Sequence, residues 1–161
     1  MKIAIGSDHG GYALKMELIP VIEKLGFEVK DFGCPDEKSV DYPDVAFPVA
    51  EAVADGEYAR GIVVCGTGIG VSICANKVRG IRCALCTDET MARLTREHND
   101  SNMLALGGRI VGVELAKAIV STYDGIFQGN PPYRPHWQNR KIRGVSLIFY
   151  VFSKTMRASA L

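Results

Sequence analysis

Apolar positions along the chain switch repeatedly between two periods. Compact apolar or alternating runs at 1–6, 27–32, 61–65, 81–86 and 102–106 predict strands. Between them, apolar residues recur three and four apart, which predicts helices over 12–25, near 44–55, and over 71–77, 91–97 and 112–123. The first helix carries its stripe on Leu14, Leu18, Val21, Ile22 and Leu25, with Gly26 closing it. The second places Val45, Val49, Ala52 and Val53 on one face, after a polar loop at 33–41. Thr87-Asp88 caps the fourth. Strand and helix alternate throughout, so the expected fold is α/β: a parallel sheet covered on both faces, with right-handed crossovers. The chain shows no internal repeat and no low-complexity segment.

Ligands of such sheets collect at the carboxyl ends of the strands. The first strand ends at Asp8-His9, the third at Cys65, and the fifth at Gly107-Gly108-Arg109. These clusters can meet in one crevice. His98-Asn99-Asp100 falls between the fourth helix and the fifth strand, and is therefore expected at the opposite edge of the sheet. After Cys65 comes Gly66-Thr67-Gly68-Ile69-Gly70, a tight turn leading into a short helix. Such a turn aims backbone N–H groups at one point, and the helix dipole favours negative charge there. A thiol beside them can serve as base or nucleophile. Each residue also has a plainer reading. Cys65 could be a core cysteine beside a simple turn, Asp8 a helix cap, His9 an exposed turn residue, His98-Asn99-Asp100 a solvated loop, and Arg109 the cover of a helix end. Their joint placement around the glycine turn favours a site.

Familiar anion sites do not match. A cysteine phosphatase needs Arg six residues after its nucleophile, where this chain has Val71. A nucleotide-hydrolase phosphate loop ends Gly-Lys-Ser/Thr, whereas Gly70 is followed by Val71-Ser72. The spacing of Gly66, Gly68 and Gly70 is not the dinucleotide fingerprint. A small anion, such as an enolate or a phosphate, suits the turn better than a nucleotide.

Composition narrows the classes further. The chain of 161 residues is the size of one domain, and its formal net charge of +1 gives no field to draw it to nucleic acid or an anionic membrane. No apolar run approaches the ~20 residues needed to cross a bilayer. The sequence opens directly into a strand rather than a basic-then-apolar leader. Its five cysteines, Cys34, Cys65, Cys74, Cys83 and Cys86, are an odd number, which argues against a disulfide framework. Cys83 and Cys86 have CxxC spacing, but on a strand and without a second pair or a histidine cluster, so no metal site is expected. The expected setting is a reducing cytoplasm.

Four segments together carry a family resemblance: Ser7-Asp8-His9-Gly10-Gly11; Asp41-Tyr42-Pro43-Asp44; Cys65 through Gly70 with Ala75-Asn76-Lys77; and Arg96-Glu97-His98-Asn99-Asp100-Ser101-Asn102. In order and spacing they closely resemble the type B ribose-5-phosphate isomerases, a family that also holds galactose-6-phosphate and allose-6-phosphate isomerases. The resemblance covers about residues 1–128. It implies a three-layer α/β/α sandwich with a five-stranded parallel Rossmann-like sheet. It also implies an aldose–ketose isomerase working through a cis-enediolate, with no metal and no cofactor. The sites would lie between subunits of a homodimer, each lending its His98-Asn99 segment to the other; tetramers also occur in the family.

The implied roles follow the chemistry. Cys65 as thiolate moves the proton between C2 and C1. Some members carry a Glu just after the glycine turn instead, a position held here by Val71, which leaves the thiol. N–H groups from Gly66 to Gly70 face the enediolate, and Asn99 adds a donor. His98, assisted by Thr67, opens the sugar ring. Asp8 and His9 hold hydroxyls or phosphate, Tyr42 packs on the sugar, and Arg109 grips the phosphate.

Residues 129–161 depart from the family pattern and form an atypical extension. Arg134, His136 and Arg140 match the family's basic phosphate-binding motif only loosely, with altered spacing, and prolines at 131, 132 and 135 argue against a helix. Two expectations are open for the apolar stretch 144–152, packing on a neighbouring subunit or staying disordered; the first is favoured because an exposed apolar run invites aggregation. Other readings remain: an isomerase of a six-carbon sugar phosphate, a non-catalytic sugar-phosphate binding module, or one subunit of a hetero-oligomeric isomerase.

Overall fold

A computed structural model describes residues 1–125; the expectations for the 129–161 extension, including Arg134, His136 and Arg140, lie outside the described residues. The described chain runs β1 (Lys2–Ser7), α1 (Tyr12–Lys24), β2 (Glu28–Asp31), α2 (Tyr42–Ala54), β3 (Arg60–Cys65), α3 (Ile69–Ala75), β4 (Cys83–Leu85), α4 (Glu89–Asn99), β5 (Met103–Gly107) and α5 (Val113–Gly125). The strands form a five-stranded sheet in the order β2-β1-β3-β5-β4, and every pairing is parallel.

Strand alternation sorts the core into two layers. Ile3, Ile5, Ile62, Val64, Leu104 and Leu106 face one side, where they pack with apolar residues of α1, α4 and α5. Ala4, Val63, Cys65, Met103 and Ala105 face the other, against α2 and α3. Both faces are covered, so the central strands read as nearly unbroken apolar runs, as the sequence suggested. Gly26 closes the first helix as expected, with φ +89° and its N–H bonded to Glu23 O at 2.9 Å.

Several boundaries differ from the sequence reading. α2 begins at Tyr42, because Asp41 stays extended and the prolyl ring of Pro43 fits the first helical turn. α3 begins at Ile69, directly after a left-handed Gly68. The fourth strand contracts to Cys83–Leu85. α4 reaches from Glu89 to Asn99: Asp88 caps it by accepting the Met91 N–H at 2.9 Å, and Asp100, with φ +47°, ends it. His98 and Asn99 are therefore the last residues of a helix rather than part of a loop.

The edge strand β4 has an unusual neighbour. The Asn76 amide exchanges two hydrogen bonds with the Cys83 backbone, donating to its oxygen at 2.8 Å and accepting from its nitrogen at 2.9 Å. Asn102 does much the same nearby, accepting from Arg82 N at 2.8 Å and donating to Gly80 O at 2.9 Å.

Candidate active site

From β1 the chain moves to one side of the sheet for β2 and then to the other for β3, so the order reverses between β1 and β3. A crevice opens at the carboxyl ends of two such strands. Asp8 follows β1, and its N–H donates to Val64 O at 3.1 Å, which draws the β1–α1 turn onto the end of β3. A side chain at Gly11 would run into the Val64 carbonyl at 2.6 Å, so glycine alone permits this approach. Asp8 Oδ1 accepts the Gly11 N–H at 3.0 Å, a bond within the turn before α1; Gly11, not Asp8, is the N-cap of that helix, and the Asp8 carboxylate, 8% exposed, lies at the crevice wall. His9 Nδ1 accepts the Val40 N–H at 3.4 Å.

Cys65 ends β3, 5% exposed, and its Sγ accepts the Gly68 N–H at 3.0 Å. This contact depends on Gly68, whose φ of +78° folds the turn back over the sulfur. A Cβ there would also meet Leu85 Cδ1 at 2.5 Å and the Leu106 carbonyl carbon at 2.9 Å. The Ile69 N–H is engaged by Thr67 Oγ1 at 3.3 Å. Two of the expected cradle donors are thus taken up within the turn itself. Among the described residues, the N–H groups of Gly66, Thr67 and Gly70 have no acceptor and remain available to a ligand.

The β5 end closes the third side. Gly108 N–H donates to Cys65 O at 2.8 Å and Arg109 N–H to Gly66 O at 3.0 Å, so the β5 turn is stitched onto the β3 turn. The exposed Arg109 side chain lies against Gly66, its Nε 3.5 Å from where a Cβ would stand. Across the turn, the Tyr42 ring lies so close to Gly70 that a Cβ there would meet it at 2.9 Å. One chain therefore gathers Asp8, His9, Tyr42, Cys65, Gly66, Thr67, Gly68, Ile69, Gly70 and Arg109.

It does not gather His98 and Asn99. Cys65 is register-paired with Gly107 at the carboxyl end of β5, whereas α4 leads into Met103 at its amino end, about 13 Å away at ~3.3 Å per residue. The turn after Asn99 is firmly built. Arg82 donates to Asn99 O at 3.1 Å, to Asp100 O at 2.6 Å and to Asp100 Oδ2 at 3.0 Å. Arg96 binds Asp100 Oδ1 at 3.2 Å and also donates to Ser101 O, which accepts the Tyr123 hydroxyl at 2.8 Å. His98 and Asn99 stand exposed at the rim of this scaffold. Arg82 was not singled out from sequence; only the spacing of Arg82 to Asp100 across a strand and a helix connects them.

Burial pushes both Cys83 and Cys86 up to about 12, and Cys74 also upward, which holds them as neutral thiols. Among the described residues no group of His, Cys, Asp and Glu side chains is arranged to hold a metal, and no helix is long and apolar enough to cross a membrane.

A doubly covered parallel sheet, with free turn N–H groups at Gly66, Thr67 and Gly70 and a thiol at its switch point, defines an α/β protein with a candidate site for a small anion. A sequence profile described as Ribose/Galactose Isomerase matches residues 3–131, and the chain belongs to that family. Ribose-5-phosphate isomerase B of Escherichia coli is 50% identical over 124 residues, 77% of this chain and 83% of its own length. D-erythrulose-4-phosphate isomerase of Pectobacterium atrosepticum is 43% identical over 131 residues, 80% of this chain and 86% of its own. The structure of ribose-5-phosphate isomerase B from Clostridium thermocellum superposes with a TM-score of 0.80 at 52% identity, covering 96% of this chain and 99% of that one. The type B resemblance drawn from four motifs is borne out, as is the sandwich fold.

Proposed function

We propose that the chain interconverts ribose 5-phosphate and ribulose 5-phosphate through a cis-enediolate, in crevices completed by a second copy. The observation that carries this reading is the Gly68 N–H held 3.0 Å from Cys65 Sγ, inside a turn where the Gly66, Thr67 and Gly70 N–H groups have no acceptor among the described residues. The sulfur there is the acceptor of a hydrogen bond, a role that a thiolate fills better than a thiol.

As thiolate, Cys65 takes the C2 proton of the open-chain aldose. The electron pair of that C–H bond forms the C1–C2 double bond, and the carbonyl pair moves to O1. The N–H groups of Gly66, Thr67 and Gly70 meet the charge that grows on oxygen. The O2 hydroxyl proton passes to O1, which leaves the charge on O2; the C1–C2 double-bond pair then takes the proton back from the thiol at C1 as the O2 lone pair closes the C2 carbonyl. Atoms and electrons balance without any external oxidant or cofactor. Val71 is 1% exposed and apolar, which supports the thiol as the base.

Ring opening belongs to His98 of the second copy, with Thr67 assisting from the crevice and Asn99 adding a donor. The exposure of His98 at the far edge of its own sheet supports this exchange. Arg109 grips the phosphate, Asp8 and His9 hold the polar end of the sugar, and Tyr42 stacks on it. Arg134, His136 and Arg140 are further phosphate ligands in this reading.

Steady-state kinetics of the purified chain on ribose 5-phosphate, allose 6-phosphate and galactose 6-phosphate test it. The highest kcat/KM is expected for ribose 5-phosphate. Preference for a six-carbon sugar would reassign the substrate, and turnover of none would reduce the crevice to a binding module or to half of a hetero-oligomer.

A further inference from the structure

A lysine on the buried stripe of α1 has no part in the chemistry above. Lys15 is fully buried, and its Nζ donates to Asp31 Oδ2 at 2.7 Å, Gly33 O at 2.9 Å and Cys34 O at 2.8 Å. All three protons of the ammonium are thereby used. The Tyr12 ring lies 5.2 Å from the same nitrogen. Burying an ammonium is costly, and an apolar side chain of similar length would fill the space without that cost. What Lys15 adds is a grip on two main-chain carbonyls where the chain leaves β2.

Those carbonyls begin a strap over residues 33–41 that crosses to the crevice. Its near end is also laced to β1: Ser7 N–H donates to Gly33 O at 3.2 Å, and Cys34 N–H to Ser7 O at 3.1 Å. The middle is folded on itself, with Cys34 Sγ donating to Asp36 O at 2.7 Å and Lys38 N–H to Asp36 Oδ1 at 2.9 Å. At the far end Val40 N–H meets His9 Nδ1 at 3.4 Å, and two residues later Tyr42 opens α2 over Gly70.

We propose that Lys15 is a positioning residue for substrate binding. By pinning the Gly33 and Cys34 carbonyls, it sets the strap so that Val40 fixes the His9 ring and Tyr42 lies over the glycine turn. With Nδ1 accepting from Val40, neutral His9 carries its proton on Nε2 and presents that N–H as a donor to an anionic or hydroxyl oxygen of the ligand. Cys65 ends β3, and its sulfur is held by the Gly68 N–H of its own turn rather than by a group of the strap. Lys15 therefore governs how well the sugar phosphate is held, not how fast its proton moves. This inference rests on the reading of the crevice as a sugar-phosphate site.

The test is Lys15→Met, assayed with ribose 5-phosphate and by 15N NMR of the His9 ring in the full chain. With the fold retained by circular dichroism and a cooperative melt, KM is expected to rise about tenfold while kcat stays within about threefold, the scale of losing charge-assisted hydrogen bonds that hold a loop. The His9 15N shifts should move from an Nε2–H pattern towards a tautomer mixture. Should Lys15→Met fail to fold, Lys15→Arg takes its place. It keeps the charge but cannot converge three donors on one point, and it must show the same changes. An unchanged KM together with an unchanged His9 tautomer in a folded variant overturns the proposal. A fall in kcat at constant KM overturns it as well. The NMR arm needs no turnover, so a wild-type chain inactive on every sugar phosphate would sink the isomerase reading while the link from Lys15 to His9 is judged separately.

Discussion

The Gly68 N–H points at Cys65 Sγ from 3.0 Å, so the residue that shapes the anion turn also holds the sulfur. Gly68→Ala should break both functions together. Its φ of +78° disfavours any side chain, and the added methyl would press on Leu85 and the Leu106 backbone. Chemical denaturation should show a loss of at least ~1 kcal/mol, with kcat falling in the fraction that still folds. A fully active, equally stable variant would mean that the turn tolerates another geometry.

Cys65→Ala should lower kcat by ~10²–10⁴-fold, the scale of a positioned base, while leaving the binding of a sugar phosphate measurable by calorimetry. Retention of more than about a tenth of the activity would remove Cys65 from that role.

His98→Asn should slow turnover of cyclic ribose 5-phosphate far more than exchange of the C2 proton in an open-chain substrate, measured by deuterium incorporation. An equal fall in both steps would show that His98 is not specific to ring opening.

Mixing inactive Cys65→Ala and His98→Asn chains, after dissociation and reassembly, should restore roughly a quarter of wild-type activity. Random pairing makes about half the dimers mixed, and each of those holds one intact site of two. The structural motive is the placement of Cys65 and of the α4 end at opposite edges of one sheet. Mixed dimers without activity would show that one chain supplies both groups.

Stability should fall as pH rises towards neutrality. Burial lifts the Asp124 carboxyl from 3.8 to about 7, against the smaller pull of Arg60 and Arg96, and among the described residues neither oxygen accepts a hydrogen bond. Between these values the native state keeps a proton that the unfolded chain has released. The contribution is therefore full below about pH 4 and is lost as pH passes about 7, a change on the order of 2–4 kcal/mol. Urea midpoints at pH 5 and pH 8 measure it, and Asp124→Asn should flatten the difference. An unaltered slope in that variant would assign the effect to another group.

Much of the architecture could be read from pattern because buried parallel strands leave nearly continuous apolar runs, as in Ile62-Val63-Val64. The strand ends then located Asp8, Cys65 and Arg109 on one crevice. Strand order could not be read, since it depends on which crossovers pack, and periodicity carries no such information. The end of α4 was misjudged because His98 and Asn99 have weak helix propensity; the Asp88 cap and the Arg82–Asp100 pairing override it. The turning of the Gly68 N–H onto the sulfur was invisible because it follows from one left-handed residue. Lys15 had a visible signal, a charge on the apolar stripe of α1 beside Leu14 and Leu18, but two of its three acceptors, the Gly33 and Cys34 carbonyls, come from a segment with no periodicity at all.

The exchange between Asn76 and Cys83 bears on how this molecule behaves in a crowd. β4 is the last strand of its sheet, and a last strand offers unpaired main-chain groups to any extended segment that drifts by. Cys83 would present such a pair, but a side-chain amide already occupies both its nitrogen and its oxygen. Asn76 imitates the peptide group of a sixth strand without bringing one. Growth of the sheet by annexing another chain is blocked at that point by a single amide, and Asn76→Ala would reopen it as a seed for aggregation.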